Sequence, residues 1–108
     1  MEMLFKLGQI VVVVLRDPRE RYWGAMLDLR SAGIAQRGLE ISQWEQALSL
    51  IKSGESDQVS LGTRFFPMHR VESMYIDEAH LGVDSMADVF LRKTGIEPAV
   101  YLETHQTY

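Results

Sequence analysis

The run IVVVVL, Ile10–Leu15, constrains the fold more than any other stretch of this chain. Its β-branched side chains are stiff at χ1 and suit a pleated strand better than a helix. The run is apolar at every position rather than at alternate ones, so both faces of the strand must be covered. It is far shorter than the ~20 apolar residues that cross a bilayer. The acidic Glu2 at the head of MEMLFKLGQIVVVVLRDPRE and the charged RDPRE directly after the run do not fit a secretory signal, so a strand is expected there. Covering two faces takes many apolar side chains. With 46% hydrophobic residues in 108, the chain has enough for one core and one domain, residues 1–108.

The segments that follow supply that cover. In YWGAMLDLR, Trp23, Ala25, Leu27 and Leu29 fall on one face, with Gly24, Met26 and Asp28 on the other. Asp17-Pro18 marks the turn before this second strand. SAG, Ser31–Gly33, marks the turn after it, and IAQRGLEI returns as a third strand with Gly38 as the expected bulge. The period then changes. Trp44, Ala47, Leu48 and Ile51 form one helical stripe, with Ser42 and Glu45 read as a capping box and Gly54 as the stop. VSLGTRFF and HRVESMYID alternate as strands four and five, separated by Pro67 and Met68 alone. Ser85 and Asp88 cap a second helix that stops at Gly95, and IEPAVYL reads as a short last strand.

Short connections and glycines inside strands favour strong bending. The expected fold is α+β: a five-stranded, strongly bent, barrel-like antiparallel sheet. One helix is inserted at about 42–53, and another lies near the C-terminus at about 85–94.

Chemistry is less sharply written. With no cysteine, disulfides, zinc–thiolate sites and cysteine nucleophiles are excluded, and a cytoplasmic location is expected. Asp77–His80 spells D-E-A-H, but the phosphate-cradling loop that helicase chemistry needs is absent. His69, His80 and His105 could join Asp77 or Glu78 around a metal. Adjacent acids on a strand point to opposite faces, so no metal or other cofactor is expected. A small enzyme or metal protein built on Asp77, Glu78 and His80 is the third functional reading. Nothing resembles a nucleophile elbow, and no enzyme activity is expected.

Arginine outnumbers lysine by eight to three. Arg16, Arg19 and Arg21 cluster at the first turn beside Tyr22 and Trp23. With His69 and Arg70 they form the candidate RNA patch, although a net charge of −4 opposes nucleic acid globally. Phe65, Phe66, His69 and Tyr75 are the candidate interface residues, on strands four and five or the turn between them.

The order of the first three strands, with Val11–Leu15, Asp17 and Gly24, resembles the Sm-like small β-barrels. LGTRFFPMHRVESMYI is similar to their closing strand pair, and Met68-His69 stands where the bacterial RNA-chaperone branch has Lys-His. Together the resemblance covers about residues 10–77. It implies a barrel whose copies join strand four to strand five, and hence self-association. A non-catalytic, oligomerising interaction module is the expected function, with an RNA-binding regulator as the alternative.

Overall fold

The computed structural model describes residues 4–104. Five strands appear in chain order: β1 (Ile10–Leu15), β2 (Glu20–Arg30), β3 (Gly33–Glu40), β4 (Gly62–Pro67) and β5 (Val71–Ile76). Helix α1 (Trp44–Lys52) lies between β3 and β4, while α2 (Met86–Thr94) and α3 (Pro98–Thr104) follow β5. The sheet is antiparallel throughout, in the order β4-β3-β2-β1-β5. The fold is therefore α+β. No helix among the described residues is long and apolar enough to cross a membrane.

The β1 run is central, as its composition requires, and Val11, Val12 and Val13 are fully buried. Its two faces enter different cores. Val12 and Val14 join Trp23 and Leu39 under the helices, against Trp44, Leu48, Phe90, Tyr101 and Leu102. At the centre of that layer Trp23 meets Trp44 edge-on at 4.9 Å and Phe90 at 5.4 Å. Val11, Val13 and Leu15 point the other way, with Tyr22, Met26, Ile34 and Phe66. No α-helix among the described residues supplies that second core, so the sheet covers it by curling.

Two features produce the curl. Gly24 and Gly38 face each other across β2 and β3. A Cβ on Gly24 would lie 2.5 Å from the Cα of Gly38, and one on Gly38 would lie 2.7 Å from the Cα of Gly24. Only glycine permits that approach. Gly38 is thus a paired residue and not the expected bulge. The bulge falls in β2 instead, between Met26 and Asp28. It reverses the alternation. Trp23 and Ala25 face the helices while Leu29 packs on the inner side with Met26, so the single stripe Trp23–Leu29 does not exist.

The link from β4 to β5 confirms how far the sheet bends. The two strands are opposite edges, which in a flat five-stranded sheet would stand ~19 Å apart. They are joined by one 3-10 turn, Met68–Arg70, which advances ~2 Å per residue. The Met68 N–H donates to Ala32 O at 2.9 Å on one side of the sheet, and the Arg16 N–H donates to Arg70 O at 2.9 Å on the other. The sheet is not closed, since β4 and β5 share no ladder.

Other expectations change at element ends. Ser42 does not cap α1: it lies in a 3-10 turn, Ile41–Gln43, and its hydroxyl donates to Glu40. The Ser85 hydroxyl does accept from the Asp88 N–H at 3.0 Å, and Gly95 closes α2 in the left-handed conformation. IEPAVYL is helical, not a strand. Pro98 opens α3, where a missing N–H costs nothing and the fixed φ suits the first turn.

Candidate interaction surface

The two free edges and the turn joining them bring most of the predicted site residues together. In an antiparallel ladder, alternate residues bond to the neighbour and the rest face outward. The Met68–Ala32 bond sets the phase for β4, where Phe66, Arg64 and Gly62 bond inward to β3. Thr63, Phe65 and Pro67 then present their backbone to the outer edge. The Asp77 N–H donates to Ile10 O at 3.1 Å and sets the phase for β5, leaving Met74 and Ile76 outward. Neither outer edge pairs with another strand among the described residues.

One aromatic stands out on each edge strand. Phe65 on β4 is 55% exposed, and Tyr75 on β5 is 47% exposed. Their neighbour Phe66 turns the other way, is buried, and meets the Tyr22 ring at 4.9 Å. Phe66 is a core residue here and does not reach the surface. An open groove of about 530 Å3 runs along β5, lined by Leu4, Phe5, Met74 and Ile76 among others.

Of the predicted arginine patch, Arg16, Arg19 and Arg70 gather around the turn, but they are engaged there. Arg16 Nε donates to His69 O at 3.0 Å, and Arg70 Nε donates back to Arg16 O at 2.8 Å. Arg70 also reaches Pro18 O and pairs with Glu20 at 3.0 Å. Arg19 pairs with Glu72 at 3.1 Å. These contacts tie the 3-10 turn to the β1–β2 turn, which contains the cis Asp17-Pro18 bond. Arg21 and the His69 imidazole are exposed and make no such contact among the described residues.

The D-E-A-H string is part of the scaffold. Asp77 accepts from the Met86 and Ala87 N–H groups at 2.8 Å each, and from Trp23 Nε1 at 3.0 Å. One carboxylate thus fixes the start of α2 to the centre of the helix-side core. Glu78 and His80 are exposed, and His80 begins a turn bridged to Val83. No group of three metal-ligating side chains occurs among the described residues. His105 lies outside them.

Sequence reading missed a polar set at the Glu40 end of β3. The Arg64 guanidinium sits 5.0 Å from the Tyr22 ring centroid, and Nη1 donates to Gly38 O at 3.1 Å. Burial is the main cause that raises the Tyr22 hydroxyl pKa. Glu20 and Glu40 raise it further, against an opposing effect of Arg64. Deeper in, the buried Gln36 amide donates to Val11 O and Tyr22 O. An alternating polar residue in a strand is usually read as solvent-facing, and no local signal marks these as inward.

Comparison with protein-family models, with curated proteins and with solved structures finds no match.

Proposed function

We propose that this chain is a non-catalytic interaction module of the Sm-like barrel type. Copies associate edge to edge, β4 of one against β5 of the next. The observation that carries this reading is the pair of unpaired edges, each bearing an exposed aromatic and outward backbone groups. Free edges of this kind are templates for another strand. The 3-10 turn supports the geometry, because it holds both edges in one rigid unit.

The test is the solution mass of the chain at about 100 μM, well above a micromolar dissociation constant. An oligomer is expected. Phe65→Glu and Tyr75→Lys should each shift the mass to monomer while leaving the thermal midpoint nearly unchanged, since both side chains lie on the surface. A monomeric parent protein overturns the proposal.

RNA binding at the turn is the second reading, favoured by the exposed His69 on it and by the exposed Arg21 on β2. Neither side chain has a hydrogen bond or ion pair among the described residues. Labelled oligouridine should then bind with an affinity that falls steeply with salt, and Arg21→Ala should weaken it.

A further inference from the structure

We propose that the cleft between α1 and the Glu40 end of β3 binds a small zwitterion with an apolar side chain, the chemistry of a free aliphatic α-amino acid. The cleft holds about 290 Å3, at the lower end of the range for ligand sites, so it suits a single small molecule. Leu39, Ala47 and Leu50 give it apolar walls, and Glu40, Gln46 and Arg64 line it with polar groups.

Charge is the deciding feature. Arg64 and Glu40 are both half-buried, and neither forms an ion pair among the described residues. They share one face of the sheet. Glu40 pairs with Tyr22 across β2 and β3, and Arg64 pairs with Gln36 across β3 and β4. Between them stand Gly38 and Gly62, opposite each other and without side chains. The guanidinium lies back over this bare stretch, with Cζ 3.7 Å from where a Gly62 Cβ would be. Its position is fixed by Gly38 O and the Tyr22 ring, which leaves Nε and Nη2 without a partner among the described residues. The Glu40 carboxylate accepts one hydrogen bond, from Ser42 at 2.6 Å. Both charges influence the Tyr22 hydroxyl, in opposite senses.

The two half-buried charges of opposite sign form no ion pair with each other or with another side chain among the described residues. A ligand carrying both complementary charges pairs with both. Its carboxylate meets the Arg64 fork and its ammonium meets Glu40, while its side chain lies on the partly exposed Leu50 and Val59. This site is separate from self-association and does not depend on it.

The experiment is titration calorimetry of the full chain with L-leucine, 4-methylpentanoate and 3-methylbutylamine. The last two lack the ammonium and the carboxylate respectively. Leucine is expected to bind saturably below about 1 mM, and each analogue at least about tenfold more weakly. Arg64→Met and Glu40→Gln should each weaken leucine about tenfold or more. Glu40→Gln is isosteric and carries the test should Arg64→Met fail to fold. No saturable binding up to about 10 mM leucine overturns the proposal. Analogues that bind as well as leucine, or an unchanged affinity in Glu40→Gln, overturn it equally.

Discussion

Asp77 shows how one side chain can serve distant parts of this chain at once. Its two oxygens take two backbone N–H groups of α2 and the indole N–H of Trp23. Asp77→Ala removes a helix cap and strands a buried donor, so the expected loss is about 2–4 kcal/mol, read from the urea midpoint. Asp77→Asn keeps an acceptor and should lose less. Tyr101 gives a residue-scale pH prediction. Burial raises its phenol pKa above 10.0, with Arg37 opposing. The folded state therefore holds that proton more tightly than the unfolded state. The associated stability is complete below about pH 10 and is lost as pH rises through the raised value. Thermal midpoints should fall on that alkaline limb, and less steeply in Tyr101→Phe. Neither role was legible in the sequence. Asp77 and Trp23 lie 54 residues apart, and nothing local to either names the other.

At the scale of elements, the glycine pair sets the shape of the sheet. Gly38→Val forces a side chain into the backbone of β2, so the strands must separate or the curl must relax. A loss of about 3 kcal/mol or more is expected, with weaker near-ultraviolet circular dichroism from the tryptophans. This is also where sequence and structure diverge most instructively. The five strands and the first two helices could be read from period alone, because β-branched runs and the Trp44–Ile51 stripe are strong signals. Helix α3 could not. Its segment is short and contains Val100 and Tyr101, which suit a strand as well, and packing of Tyr101 on Phe90 decides the outcome. The β2 bulge was hidden for a related reason. Alternation read from sequence assumes unbroken pairing, whereas the inserted Leu27 shifts every later side chain to the other face.

For the molecule as a whole, the helices gather on one face and leave both edges of the sheet without a pairing strand among the described residues. Association through backbone hydrogen bonds and aromatic contact should change little between about 0.1 and 0.5 M salt, as sedimentation would show. RNA binding would fall by orders of magnitude over the same range. The exposed aromatics were legible only as a cluster, because which of Phe65 and Phe66 faces outward depends on strand phase. That phase is fixed by the turn at Met68, which sequence does not reveal.

Pro67 faces outward at the end of β4 and has no N–H to offer. A neighbouring strand laid along that edge finds donors at Thr63 and Phe65 and then runs out. In the proposed edge-to-edge assembly such a stub would grip weakly and briefly, so that copies would detach and re-form in correct alignment. The same missing proton would then act as a brake on runaway fibre growth, the hazard of any sheet with two unpaired rims.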